Sequence, residues 1–392
     1  MTASDIPFIQ PLLGPDDTWA GYHVEFVPGG CSPAVLARLF ASPLIDEFSH
    51  RQPWFIPAQP EYKLISPLAA CAVTIFPAQP EALATEALAQ YEASLRQAHR
   101  KLGLLATPEK KLPVTGAWDY LLLSTSHARS LPQYTLLGLA SRTIVVATGV
   151  SSHNDRDWLL ANACTLTTSE FLLTHFSSSK KTAMSRINLL EILALIAEDA
   201  DTSKLEAIFR QESKLSYSLL RLVNSAAIAP RYPITSFARA IDLLGRRQLQ
   251  RWLQLLVYAD PNNGQHPNPL LQKAAARGRQ LELLAPYLSP PLTAGNLEDA
   301  AFMVGTFSLL DALLNIPMRE ILQQLPLTDI VHDALAEHTG GLGELLSAIT
   351  CAEAGDLPRA ASKIKQLGLS ADTYRDAQLT SYSWAAKIHT AA

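Results

Sequence analysis

The chain has 392 residues, 48% of them hydrophobic and 17% charged, with a formal net charge of −4. Apolar content of this order excludes a disordered chain, and the slight acidity speaks against a general binder of nucleic-acid backbones, which carries a basic face. Apolar runs such as "LLEILALIA" (189–197) stop well short of the roughly 18 residues that a membrane span needs.

The length suggests two or three domains at the usual ~100–200 residues each. The opening "MTASDIPFIQPLLGPDD" has neither the basic start nor the apolar core of a signal peptide, so a cytoplasmic protein with no membrane partner is expected. Cys31, Cys71, Cys164 and Cys351 are scattered without paired spacing, which predicts buried free thiols rather than disulfides or a zinc site.

In chain order, residues 1 to about 175 mix short apolar runs with proline-rich breaks. "YKLISPLAACAVTIFPAQP", "WDYLLLSTS" and "RTIVVATG" read as strands. Between them "PEALATEALAQYEASLRQAHRKLG" reads as a helix, with Pro80 in its first turn and Gly103 at its end. Strands alternating with helices predict an α/β domain on a mainly parallel sheet. The polar joint "HFSSSKKTAMSR" (175–186) follows, with the character of a linker. Beyond it the pattern is helical almost throughout, from "NLLEILALIAE" and "TSKLEAIFRQE" to "MREILQQL", with apolar residues at i, i+3 and i+4. Ser203 and Thr235 are candidate N-caps. The second half is therefore expected to be an all-α bundle.

Few residues in this pattern carry obvious chemistry. His332–Asp333 forms an isolated "HD" pair, and a hard divalent site needs several more carboxylates or imidazoles converging on it. "EAL" occurs twice, at Glu81–Leu83 and Glu86–Leu88, on a helix where it reads as helix-forming sequence. There is no GxSxG, GxxxxGK or GxGxxG. Arg246, Arg247 and Arg251 lie close together with Trp252 beside them. They could receive an acidic partner or a phosphate, or could form a solvated face. Asn224 and Ser225 end an apolar helix, where small polar residues serve as cap and turn.

The second half resembles the HDOD domain, a helical relative of the HD phosphohydrolases, through "SLLRLVNSA" (218–226), "ITSFARAIDLLGRRQLQRWLQLL" (234–256) and "AFMVGTFSLLDAL" (301–313). The resemblance covers roughly residues 180–385. It places the metal-binding dyad of the catalytic relatives on Ser308 and Leu309, and a further ligand histidine near Lys273. That implies a bundle without metal.

The first half resembles the EAL domain of cyclic di-GMP phosphodiesterases. "AGYHVEFVP" stands for xGYELLFR, which puts His23 at the metal-binding glutamate and Val27 at the arginine. "WDYLLLSTS" stands for aDyvKiD, retaining Asp119 and losing the lysine. "IVVATGVSS" stands for vvAEGVET, with Thr148 in place of a glutamate. Without those carboxylates two metals would not be held to activate water, and about 175 residues are few for a barrel of ~250.

The resemblances together imply a reduced, degenerate EAL-like barrel-type domain (1–178) followed by an HDOD bundle (179–392). They imply a bacterial non-enzymatic signalling protein that acts through protein–protein contacts, without a cofactor and with signalling proteins as partners; the alternatives are a pseudo-enzyme that binds cyclic di-GMP and an active cyclic di-GMP phosphodiesterase. Asn224, Ser225, Gly245, Arg246, Arg251 and Trp252 are the candidate interaction residues. His23, Asp119, Thr148, Lys273, Ser308 and Leu309 are the candidate former-site positions.

Overall fold

The computed structural model describes residues 5–63, 66–78, 85–132, 134–174, 237–258, 268–292 and 296–389, together with positions 193–194, 198, 219–220, 222–225, 228, 230–231 and 234. The chain forms two compact units. One comprises Met1–Thr174 with Cys351–Ala361, the other His175–Thr350 with Ser362–Ala392.

The first unit is built on a closed barrel of eight strands in sequence order. β1 (Phe8–Leu13) turns through Asp17, which adopts a positive φ of 62°, into an antiparallel β2 (Trp19–Glu25). The remaining strands join in parallel: β3 (Trp54–Pro57), β4 (Ala72–Pro77), β5 (Lys101–Leu105), β6 (Tyr120–Ser124), β7 (Ile144–Thr148) and β8 (Cys164–Thr167). The barrel closes where β8 meets β1, antiparallel, through one register pair, Leu13 with Thr167. The mainly parallel sheet is as the alternation of strands and helices predicts.

Reduction of the barrel falls on its helices, not on its strands. The crossovers carry α1 (Pro33–Phe40), α2 (Thr85–Gln97), α3 (Thr125–Ser130), α4 (Thr135–Leu139) and α5 (His153–Ala161), while only a 3-10 turn precedes β4 among the described residues.

Side chains alternate across each strand, and the inward set is apolar: Leu12, Phe55, Val73, Ile75, Tyr120, Leu122, Val146 and Leu166 form one cluster. The outward set packs beneath the crossovers. Tyr22 and Trp54 lie 4.8 Å apart with Phe48 edge-on to both, and Phe40 of α1 closes on Trp54 at 5.9 Å. Ser32 caps α1 by accepting from the Val35 amide, with Pro33 in the first turn, the start such a sequence favours.

Gly103 does not end α2, as the sequence suggests; it lies inside β5. A Cβ there would stand 2.4 Å from Ile75 Cδ1 and 3.4 Å from Tyr120 Cβ, so the missing side chain makes room for the barrel core. The helix stops at His99 instead, whose φ is 53°. The His99 and Arg100 amides donate to the Arg96 and Leu95 carbonyls, the hydrogen-bond pattern of a Schellman stop.

The seam between β8 and β1 is held by Arg156, only 3% exposed. It donates to the Gly14 carbonyl at 2.6 Å, to Asp17 Oδ1 at 2.7 Å and to Thr167 Oγ1 at 2.5 Å. Its guanidinium lies over the Phe171 ring at 5.3 Å.

Beyond Thr174 all elements among the described residues are helical, the stretch Cys351–Ala361 among them belonging to the first unit. They are α6 (Phe237–Leu256), α7 (Pro269–Leu284), α8 (Leu297–Phe307), α9 (Leu310–Leu314), α10 (Met318–Leu322), α11 (Asp329–Ala336), α12 (Gly340–Glu353), α13 (Leu357–Gln366) and α14 (Ala371–Ala386). α7 starts where Asn268 Oδ1 accepts from the Leu270 and Leu271 amides and is buried around most of its circumference. α7 and α8 touch backbone to backbone: a Cβ on Gly305 would lie 2.6 Å from Gly278 Cα. The joint 175–186, the helices expected before residue 219, Ser203 and Thr235 lie outside the described residues.

Candidate functional site

In α/β barrels chemistry gathers where the parallel strands end, and three of the sequence-predicted positions are tested by that geometry. Thr148 is the last residue of β7 and stands in register with Ser124, the last residue of β6. Its hydroxyl faces the Leu123 carbonyl at 3.4 Å, while Thr125 Oγ1 donates to the Thr148 carbonyl at 3.1 Å. Ser124 Oγ accepts from the His127 amide and so caps α3. It also lies 3.1 Å from Ser126 Oγ.

His23 lies in β2, in register with Gln10 of β1 and the inward Phe55 of β3. Its Nδ1 is 3.8 Å from Glu25 Oε1.

Asp119 lies elsewhere. It precedes β6, its Oδ2 accepts from the Leu102 amide near the start of β5, and its carbonyl accepts from the Ile144 amide at the start of β7. Asp119 therefore binds strand beginnings, at the end of the barrel opposite Thr148. The strand-end partner of Thr148 is Ser124, five residues on. The strand's own alternation carries that signal, since 120, 122 and 124 share one face.

A divalent metal of the Mg²⁺ or Ca²⁺ kind takes several charged oxygen ligands. The tips of β6 and β7 offer neutral hydroxyls already engaged with backbone, and the one His–Glu pair lies away from them in the strand order, on β2. Among the described residues the donor set at these tips does not fit such an ion, and no group of three or more His, Cys, Asp or Glu side chains gathers there.

The candidate residues of the helical unit divide by what they touch. Asn224 donates to the Leu220 and Ile234 carbonyls and accepts from the Ile234 amide, all at 2.7–2.8 Å, so its side chain ties a turn. Ser225 is fully buried, with no hydrogen-bond partner for Oγ among the described residues. Gly245 breaks α6 with φ 74° and ψ 161°, a conformation open only to glycine, so that α6 is two helical segments meeting at this residue. The Arg246 side chain lies outside the described residues.

Arg251 contacts Glu282 and reaches Asp299 at 2.9 Å, and Arg247 holds Asp299 and Glu298. These two arginines are engaged with carboxylates of α7 and α8 rather than forming an open basic face. Trp252 is 1% exposed and packs against Trp384, the ring centroids 5.5 Å apart and the planes tilted by 52°.

Lys273 and Leu309 are buried. Ser308, at the end of α8, accepts from Arg277 Nη1 at 2.7 Å and donates to the Gly305 carbonyl. Arg277 went unremarked in the sequence, although "KAAAR" sets it one helical turn after Lys273. His332 and Asp333 are exposed, 3.4 Å from each other. All four cysteines are free, and burial pushes the Cys31 and Cys164 thiols up to about 12.

Residues 187–275, within the helical unit, match the model of the HDOD domain. Among individual proteins, 191 residues of the chain are 30% identical to the cyclic di-GMP phosphodiesterase CdgJ of Vibrio cholerae, covering 49% of this chain and 43% of that protein. A further 30% identity over 173 residues links it to YuxH of Bacillus subtilis, covering 41% of each. The chain thus spans under half the length of either relative. The structure of the Bacillus subtilis YkuI protein, with an EAL domain, in complex with c-di-GMP and calcium, covers 62% of this chain and 73% of that one, at 13% identity and a TM-score of 0.33. No helix among the described residues is long and apolar enough to cross a membrane.

Proposed function

We propose that the protein is a non-enzymatic component of cyclic di-GMP signalling that acts by contacting other proteins. It pairs a degenerate EAL-like barrel (1–178) with an HDOD bundle (179–392). The observation that carries this reading is the pair Ser124 and Thr148. At the ends of adjacent barrel strands, where a metal-dependent phosphodiesterase needs carboxylates, two hydroxyls stand in register, occupied in capping α3 and in backbone contacts. The name of one relative, the cyclic di-GMP phosphodiesterase CdgJ, supports the link to cyclic di-GMP.

The test is direct. The purified chain is incubated with cyclic di-GMP and either Mg²⁺ or Mn²⁺, and the linear product is measured. No turnover above a metal-free control is expected, and metal-dependent turnover would overturn the proposal. A second reading, a pseudo-enzyme that still binds the nucleotide, is favoured by the polar residues Ser124 and Thr148 at adjacent strand ends. Calorimetry with cyclic di-GMP separates the two, since a pure scaffold gives no saturable heat.

A further inference from the structure

One stretch remote in sequence belongs to the barrel unit: Cys351–Ala361, the end of α12 and the start of α13. α12 stops there through Gly355, at φ 79°, with the Gly355 and Asp356 amides donating to the Ala352 and Cys351 carbonyls, the pattern of a Schellman stop. The last carbonyls of a helix take donors from beyond it. That of Ala352 has a second donor, Gln10 Nε2 of β1, at 3.0 Å. Ala352, Leu357, Ala360 and Ala361 are buried, whereas residues 354–356 between the two helices are exposed.

Gln10 stands at the mouth of the barrel. It lies two residues before the inward Leu12 and so shares that face of β1. It is in register with His23 of β2, which is in register with the inward Phe55 of β3. Because β2 runs parallel to β3, its last residues point to the end where β6 and β7 carry Ser124 and Thr148. The antiparallel β1 brings Gln10 to the same end. The two sides of this mouth differ. On the β1–β2 side Gln10 is tied to Ala352, and the His23 side chain is 14% exposed. On the β4–β5 side the paired strand ends Pro77 and Leu105 are open, Leu105 at 41%. Leu105 follows Gly103 by two residues and shares its inward face.

We propose that Cys351–Ala361 is a strap across the β1–β2 side of the barrel mouth, latched by Gln10, whose release opens that side to solutes. The latch is a single hydrogen bond between uncharged groups, which shifts an opening equilibrium by about two- to tenfold. The strap therefore opens without unfolding the barrel, as lids drawn from the low-stability end of a structure do. It stands whether or not the barrel takes up a nucleotide, because the latch consists of an amide side chain and a backbone carbonyl.

The test uses the full chain with a reporter thiol on each side, His23→Cys on the strapped side and, separately, Leu105→Cys on the open one. Each is combined with Gln10→Met, which keeps the length of the side chain and removes the donor. Alkylation by iodoacetamide at pH 8 is followed by peptide mass spectrometry, which separates the reporter from the native thiols. With Gln10→Met the reporter at position 23 should react about two- to tenfold faster, and the reporter at 105 should react as before. Amide exchange in residues 351–361 should quicken by a similar factor while β6 and β7 keep their protection. Gln10→Glu, ionised at this pH and equally unable to donate, should give the same pattern, which separates loss of the latch from a packing fault of methionine. An unchanged rate at position 23 in both variants, or equal acceleration at 23 and 105, overturns the proposal.

Discussion

Arg156→Met should open the barrel at its seam. β1 and β8 share one register pair, and Arg156 spans that junction by three hydrogen bonds from a side chain that is 3% exposed. Methionine keeps much of the apolar stem over Phe171 but leaves the Thr167 hydroxyl without its donor, and the Gly14 carbonyl loses its charged donor and keeps only the Asp17 amide. An unsatisfied buried acceptor costs about 1–3 kcal/mol. Asp17 adds little, because its side chain is 47% exposed and regains water when its partner is lost. The sum is about 3 kcal/mol, which for a unit of this size lowers the melting temperature by about 6–12 °C.

The control is Asp17→Asn, which leaves the two buried hydrogen bonds intact and should cost no more than about 1 kcal/mol. Thermal unfolding supplies the magnitudes. Hydrogen exchange of the β1–β2 hairpin should show the seam opening before the rest of the barrel. A cost for Arg156→Met under about 1 kcal/mol, or an equal cost for Asp17→Asn, would refute the assignment of the seam to the buried hydrogen bonds.

Three further outcomes follow from packing and charge. Gly103→Ala should destabilise the barrel by about 1–3 kcal/mol, because the new Cβ meets Ile75 Cδ1 at 2.4 Å; adding Ile75→Val should restore part of the loss in urea unfolding. Gly305→Ala should reach the upper end of the same range, because the obstacle is Gly278 backbone, which has no rotamer to change. The Asp155 carboxyl is held below its ordinary value by hydrogen bonds from Ser152 and Arg129. Its contribution to stability is thus present above the ordinary aspartate pKa of about 4 and lost as pH falls through the lower folded-state value. In Asp155→Asn the melting temperature should fall less steeply below pH 4 than in the wild type, and an unchanged acid limb would count against this.

What the sequence revealed depended on whether a residue's role was local. Strand segments such as "IVVATG" and the helical texture of the second half come from short-range alternation and periodicity, and they stand as expected. Gly103 reads locally as a helix stop, and only the approach of Ile75 from a neighbouring strand shows why glycine is there. Asp119 was legible as a retained carboxylate, but which end of the barrel it occupies depends on where β6 begins. Ser124 was hidden because serine after leucines gives no chemical signal until Thr148 is brought beside it. Arg251 looked like part of a basic face because Glu282 and Asp299 are 31 and 48 residues away in the chain, and ion pairs across helices leave no trace in spacing.

The buried thiols make the barrel its own reporter. Cys164 is the first residue of β8, next to the seam, and is 1% exposed. With its pKa pushed up to about 12 by burial, only about one molecule in ten thousand would carry the thiolate at pH 8, the species that reacts. An alkylating reagent therefore reaches Cys164 at an appreciable rate only while the seam is open. The rate of its modification in the native protein measures the frequency of that opening, without a label or a substitution.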